Sequence, residues 1–229
     1  MRLSNAWLAA WAIVGLGLSD RLEAASPAAD VVAGQVDVSL QRELPATDNT
    51  PPAEICNDTT FLRRATLDVL GRQPTAAEIT AFVLDPSQNK RARTVERLLA
   101  SEEFGRNWGR YWRDVIMYRR SDPRAQIASP ALEAFFTQAL NDGTPWSEVA
   151  ESLITATGDV REVGATGLIM AQDGKAEETA AEVSRIFLGI QIQCAQCHDH
   201  PTDRWKRQQF HELAAFFPRM TVRPVMEEN

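Results

Sequence analysis

Apolar residues recur at helical spacing through most of the chain after Asp58. They return every three or four positions, as they do on the buried face of an α-helix. The segments with this period lie near residues 61–70, 79–83, 95–99, 104–115, 130–141, 145–156 and 176–190. No sustained alternation of apolar and polar residues, which would indicate strands, interrupts them. The pattern predicts an all-α fold, an irregular multi-helix domain with long loops.

Capping residues predict where several of these helices begin and end. Asp58 is expected to cap the first one, and Gly71 to end it in the left-handed conformation. Thr75 and Glu78 fit a capping box, in which each side chain accepts a hydrogen bond from the other's backbone N–H. Two further helices are expected to begin where a capping side chain precedes proline, at Ser129–Pro130 and Thr144–Pro145.

The stretch from residue 157 to 175 lacks a helical period. It reads TGDVREVGATGLIMAQDGK, and its glycines predict a loop that crosses the surface. Such a length is unusual for a connection without secondary structure, and long loops are often functional. From Ala176 an apolar stripe predicts a helix that runs directly into the cysteine-rich segment that follows.

The first 25 residues have the order of a secretory signal peptide. Arg2 precedes an apolar run from Ala6 to Leu18, and the small residues Ala24 and Ala25 follow after a polar break. The run is shorter than the ~20 apolar residues that span a bilayer. We therefore expect an exported chain, periplasmic or extracellular, with no membrane span after signal removal.

Three further segments are predicted after the signal peptide at 1–25. Residues 26–57 are rich in Ala, Val, Pro, Asp and Thr and predict a linker or loosely packed arm. Residues 58–220 predict the helical domain, which is long enough to bury a core. Residues 221–229 are expected to form a C-terminal tail.

Charge and motif content narrow the classes of function. The net charge of -7 argues against a nucleic-acid surface or an anionic membrane patch. The chain has no Gly-x-Ser-x-Gly elbow, no phosphate-binding loop and no His-Glu-x-x-His pair. An electron carrier or a binding module is therefore expected rather than a familiar type of enzyme, with an unidentified redox or scaffold protein as its partner.

Two of the three cysteines and two of the three histidines fall within residues 194–200. Cys194, Cys197 and His198 form the Cys-x-x-Cys-His pattern of c-type haem attachment. On a helical turn the two sulfurs lie on one side, where each can bond a haem vinyl group, and the next imidazole can reach the iron. The pattern predicts a covalently bound haem c and electron transfer.

A haem iron also has a second axial position. The side chains that could occupy it are His200, His211, Met170, Met220 and Met226. His200 follows His198 too closely to reach the opposite face of the ring without strain. His211 or a methionine is the better candidate, and no spacing rule selects among them.

The same residues also fit two other sites. Zn²⁺ takes four tetrahedral ligands from thiolate and imidazole, and the chain offers Cys194, Cys197, His200 and His211. Asp199 and Asp203 could then orient the imidazoles. Alternatively, the two cysteines form a disulfide or a reactive thiol pair. Either site would suit a non-catalytic interaction or scaffold module.

Three further patterns lie between about Thr60 and Phe217. The residues that form them are Arg63, Arg64, Asp68, Gly71 and Pro74; Cys194, Cys197, His198, His200 and Pro201; and Asp203 and Trp205. Together they resemble the planctomycete cytochrome-like domain family, found in exported bacterial proteins. The chain departs from the family's first pattern by one extra residue before the glycine.

The resemblance implies a haem-like motif in a domain whose activity is not established. Relatives typically continue into a second large domain, and some carry a separate cytochrome domain ahead of this one. In small cytochromes c the motif lies in the first helix, whereas here it lies near the C-terminus. The small cytochrome c fold is therefore not expected.

Overall fold

The computed structural model describes residues 29–43, 54–118, 126–217 and 220–224. Within these ranges the secondary structure is helical and contains no strand, which confirms the predicted all-α class. No helix in them is both long enough and apolar enough to cross a bilayer. Contacts divide the chain into two units, Met1–Glu54 and Ile55–Asn229.

In the first unit the described residues form one helix, α1 (Ala29–Glu43). Asp30 in its first turn and Arg42 in its last turn complement the helix dipole. The segment 26–57, predicted as a linker or arm, therefore contains a regular helix of 15 residues. The predicted signal peptide at 1–25 lies outside the described residues.

The second unit contains nine helices whose two ends both lie in the described ranges. They are α2 (Asp58–Leu70), α3 (Ala76–Leu84), α4 (Lys90–Leu99), α5 (Glu102–Met117), α6 (Ser129–Asn141), α7 (Trp146–Thr155), α8 (Gly167–Ala171), α9 (Ala176–Val183) and α10 (Arg207–Ala214). Short turns of 3₁₀-helix span Gly164–Thr166 and Gln193–Gln196, and a π-helical turn spans Ser184–Leu188.

Helices α5 and α6 pack closely at the centre of the second unit. A Cβ atom added at Gly109 of α5 would lie 2.5 Å from the Thr137 hydroxyl and 3.0 Å from the Glu133 carbonyl oxygen, both on α6. The absent side chain therefore lets the two backbones approach. Around this contact, Trp112 stacks on Phe136 with ring centroids 6.1 Å apart.

The capping predictions are confirmed for α2 and α3, except that the N-cap of α2 lies one residue earlier than predicted. Gly71 ends α2 with φ 71°, and Thr75 and Glu78 form the predicted capping box. The N-cap of α2 is Asn57 rather than Asp58, because the Asn57 side chain accepts the Thr60 N–H at 2.9 Å. The Asp58 carboxylate instead forms ion pairs with α4.

The two helices predicted at 130–141 and 145–156 are present as α6 and α7, and Pro130 lies in the first turn of α6, but neither start has the predicted side-chain cap. Ser129 already lies inside α6, whose preceding residue Ala128 makes no side-chain cap. Thr144 uses its backbone N–H to bind the Ala139 carbonyl oxygen at 2.9 Å, so it completes the end of α6. Helix α7 begins one residue later, with Pro145 in the cap position.

The surface loop predicted at 157–175 is wrong for its second half. The 3₁₀ turn at Gly164–Thr166 and helix α8 are packed into the core, and Leu168 is completely buried. At Gly164, an added Cβ atom would lie 2.0 Å from the Ala131 carbonyl oxygen of α6. Two short helical turns pressed on a neighbouring helix do not produce a helical period in the sequence.

The helix predicted to run into the cysteine segment also ends early. Helix α9 passes at Val183 into the π-helical turn, and Gly189 reverses the chain in the left-handed conformation with φ 67°. The Ser184 hydroxyl donates a hydrogen bond to the Ile190 carbonyl oxygen at 2.9 Å, which holds the reversal. The cysteine segment therefore begins a new turn at Gln193.

Candidate cofactor site

The two cysteines lie together on one exposed turn. Cys194 is inside the 3₁₀ turn and Cys197 follows directly after it. In a 3₁₀-helix the side chains at i and i+3 eclipse, so this backbone places both thiols on one edge. Both cysteines are exposed and free. Between them, the completely buried Ala195 fixes the turn to the core.

The His198 ring is held in a defined tautomer. Its Nδ1 lies 2.7 Å from the backbone carbonyl oxygen of Asp199. Because a carbonyl oxygen only accepts, Nδ1 carries the proton, and Nε2 of the neutral ring presents a lone pair. No residue in the described ranges makes a hydrogen bond to Nε2. Histidine ligands of metals are commonly oriented in this way, through the other ring nitrogen.

The Asp199 side chain ties this turn to the start of α10. One carboxylate oxygen accepts the backbone N–H of Arg207 at 3.0 Å, and the other binds the Lys206 ammonium group at 3.0 Å. The Arg207 N–H, and after it the Lys206 ammonium group, hold the pKa of the Asp199 carboxyl below its usual value. Arg207 is the first residue of α10, so Asp199 satisfies one of the free N–H groups at that helix end.

His200 closes a loop but offers no free lone pair. Its backbone N–H binds the Trp205 carbonyl oxygen at 2.8 Å. Its ring Nδ1 accepts the backbone N–H of Thr202 at 3.3 Å. Since Nδ1 is the acceptor, the proton of the neutral ring lies on Nε2. His200 would have to break the Thr202 bond before it could bind a metal.

His211 supports the cysteine turn from α10. Its Nε2 lies 3.1 Å from the carbonyl oxygen of Gln196, so Nε2 carries the proton and donates. The ring also makes an edge contact with the completely buried Phe210. The hydrogen bond to Gln196 joins α10 to the turn between the two cysteines.

The structure does not bring the predicted zinc ligands together. Among the residues it describes, no group of three or more His, Cys, Asp or Glu side chains is placed to hold a metal ion. His200 uses its Nδ1 lone pair to accept the Thr202 N–H, and His211 donates its Nε2–H to the Gln196 carbonyl oxygen. The free thiols likewise form no disulfide.

Two of the candidate axial methionines lie in a different place from the cysteine turn. Met170 and Met220 line a cavity whose walls include no residue of the segment 194–200. Met226 lies outside the described residues.

The sequence predicted the side chains of the candidate site but not the backbone groups that position them. Asp199 was expected to orient an imidazole with its carboxylate, whereas it holds His198 through its carbonyl oxygen. Asp203 binds the N–H of its neighbour Arg204 instead of a histidine. The Gln196 carbonyl and the Arg207 N–H are backbone groups, so the residue types in the sequence did not indicate their roles.

A family model described as PSCyt2, a protein of unknown function (DUF1549), matches residues 35–222. The match includes helices α2 to α10, the cysteine turn and part of α1. Its description assigns no activity. No curated protein and no solved structure matches the chain.

Proposed function

The chain belongs to the PSCyt2 family, and from the geometry of its cysteine turn we propose that it is an exported electron-transfer domain with covalent haem c. Cys194 and Cys197 would hold the haem through thioether bonds, and His198 would bind the iron through Nε2. The cofactor would supply a one-electron redox centre. The protein groups would fix its position and supply the His198 nitrogen to the iron.

The observation that carries the proposal is the orientation of His198. Its Nδ1–H donates to the Asp199 carbonyl oxygen at 2.7 Å, which leaves the Nε2 lone pair for a metal. His200 has the opposite tautomer, because its Nδ1 accepts the Thr202 N–H. The two neighbouring histidines therefore have different roles, and His198 is the one prepared for iron.

The state of the cysteines agrees with this chemistry. Each attachment adds a thiol S–H across a vinyl C=C bond, so that one C–S bond and one C–H bond form and no oxidant is consumed. The reaction needs two free, accessible thiols on one side of a turn, and Cys194 and Cys197 meet that requirement. A disulfide between them would have to be reduced first.

The exposure of the site suggests how electrons would leave it. All three attachment residues are exposed, so a bound haem would have an edge near the surface. Such an exposed position is in keeping with the transient interfaces through which electron-transfer proteins contact their partners.

The test is expression with the signal peptide in a bacterial host that carries c-type haem attachment machinery. We expect a Soret band and covalent haem staining on a denaturing gel. Replacing Cys194 and Cys197 by Ala together should abolish the stain. His198→Ala should keep the covalent adduct but lose the normal low-spin spectrum. Cys56→Ala is the matched control, because this third cysteine lies outside the turn and should leave stain and spectrum unchanged.

Three results would count against the proposal or part of it. A colourless, stain-negative protein, obtained while a known c-type cytochrome matures in the same host, would overturn it. Zinc bound in a one-to-one ratio in that sample would then favour the scaffold function. A normal low-spin spectrum in His198→Ala would remove His198 as the iron ligand.

A further inference from the structure

A second concave site lies in the second unit, apart from the cysteine turn. It is a cavity of about 630 Å³, within the ~300–1,000 Å³ typical of small-molecule sites. Its walls come from the end of α7 and the loop after it, from α8, and from the segment 220–224. We call it the α7–α8 cavity. The proposed haem function makes no use of it.

The inner wall of the α7–α8 cavity is apolar. Ile154, Ile169, Met170 and Met220 line it. All except Ile169 belong to the partly buried layer around the hydrophobic core. The two methionines add flexible thioether side chains, which adapt to irregular apolar ligands. This wall suits an alkyl chain rather than a polar ligand.

The rim of the same cavity carries positive charge. Asp159 is already used, because its carboxylate accepts the Arg161 N–H at 2.9 Å and lies 3.6 Å from that residue's Nε. Arg223 lines the cavity and is exposed. Within the part of the chain that the structure describes, no carboxylate lies at ion-pair distance from Arg223. Among the described residues, the Arg223 guanidinium group is therefore a rim cation without a carboxylate partner.

We propose that the α7–α8 cavity binds a small amphipathic anion of the alkyl carboxylate class. The chain of the ligand would lie on the apolar wall, and its carboxylate would pair with the guanidinium group of Arg223. Arginine presents parallel N–H donors that match a carboxylate in a bidentate manner. The apolar wall favours this class over small polar anions, and the guanidinium group of Arg223 favours it over neutral alkanes.

The test is isothermal titration of the full chain with decanoate, and with 1-decanol as the uncharged probe of the same length. We expect saturable one-to-one binding of decanoate and at least about tenfold weaker binding of decanol, because a hydrogen-bonded charge is lost. Arg223→Gln should weaken decanoate binding by a similar factor and leave decanol binding unchanged. Arg223→Lys should recover part of the loss.

Arg64→Gln is the matched control, because it removes the same charge from an exposed position on α2 and should leave both affinities unchanged. The absence of saturable decanoate binding would overturn the proposal. Equal affinities for decanoate and decanol, or equal losses in the Arg64 and Arg223 variants, would also overturn it. These titrations do not depend on haem, so their outcome is independent of the proposed electron-transfer function.

Discussion

At the residue scale, Asp199 has two separate roles, one for its backbone and one for its side chain. The carbonyl oxygen sets the tautomer of His198, while the carboxylate binds the first N–H of α10 and the Lys206 ammonium group. The side chain thus fixes the position of the peptide group that orients the histidine. Asp199 is a positioning residue in this arrangement.

Replacing Asp199 by Ala should loosen this arrangement without removing the carbonyl oxygen. We expect a lower melting temperature, because α10 loses a capping interaction, and a mixture of His198 tautomers in ¹⁵N NMR spectra of the haem-free protein. Asp199→Asn should lie between Ala and the wild type, since an amide oxygen still accepts the Arg207 N–H. Loss of the capping bond alone would lower the melting temperature, whereas loss of the positioning role predicts both the lower melting temperature and the mixed tautomers.

Asp203→Ala serves as the control for that experiment. The Asp203 carboxylate binds only the N–H of its neighbour Arg204 among the described contacts, at 2.6 Å. It should therefore leave the His198 tautomer as it is in the wild type. A single unchanged His198 tautomer in Asp199→Ala would refute the positioning role, whatever the melting temperature.

At the element scale, the start of α3 depends on one carboxylate. Glu78 completes the capping box by accepting the Thr75 N–H at 2.7 Å, and it also pairs with the Arg72 guanidinium group at 2.9 Å. Arg72 in turn binds Glu103 of α5. The hydrogen bond from Arg72, and after it those from Thr75, lower the pKa of Glu78 from 4.5 to about 2, against an opposing effect of burial.

This pKa shift predicts a pH dependence of stability with a definite sign. Because the folded pKa is below the unfolded one, the contribution of Glu78 is fully present above pH 4.5 and is lost as pH falls toward about 2. Glu78→Gln should lower the free energy of unfolding by about 1–2 kcal/mol at pH 7, after allowance for solvent screening. The gap between the two proteins should close in acid.

Urea unfolding at pH 7, 5, 4 and 3 measures that gap. Glu96→Gln on α4 is the control, because Glu96 is exposed and its side chain makes no ion pair with a described residue. Its unfolding free energy should track the wild type at every pH. A difference between Glu78→Gln and the wild type that stays constant from pH 7 to 3 would contradict the linkage.

How well the elements could be predicted depends on whether their contacts are local. Gly71 and the Thr75–Glu78 pair are recognisable because their interactions lie within one helical turn. Helix α8 was missed because its burial comes from close approach to α6 across more than 30 residues of chain, at Gly167 and Leu132. The candidate site residues were predicted from their spacing, whereas the tautomers of the histidines follow only from the backbone carbonyl and N–H groups beside them.

At the scale of the whole second unit, Arg185 links α9 and the π-helical turn that precedes the cysteine segment to α5. Glu182, only 5% exposed, pairs with Arg185 at 2.6 Å. The same guanidinium group donates to the Val115 carbonyl oxygen at 2.9 Å and lies 4.7 Å from the Tyr118 ring centre. The sequence shows the pair at i and i+3, but it does not reveal the contact with α5, 70 residues away.

Breaking this pair on one side should be costly for the entire fold. Glu182→Ala leaves the largely buried Arg185 without its counter-charge, and we expect a loss of about 3–5 kcal/mol in the free energy of unfolding. Arg185→Met in the Glu182→Ala background removes the uncompensated charge and should recover part of that loss. Urea unfolding of the two single variants and the double variant closes the cycle.

The cycle also tests whether Glu182 stabilises the fold through Arg185. Arg113→Met is the control, because it also removes an arginine. Arg113 lies on α5 and binds Glu133 on α6, and it makes no described contact with α9. Its combination with Glu182→Ala should give additive losses. If Glu182→Ala combined with Arg185→Met is also merely additive, the Glu182–Arg185 pair has no coupling energy, and Glu182 does not stabilise the fold through Arg185.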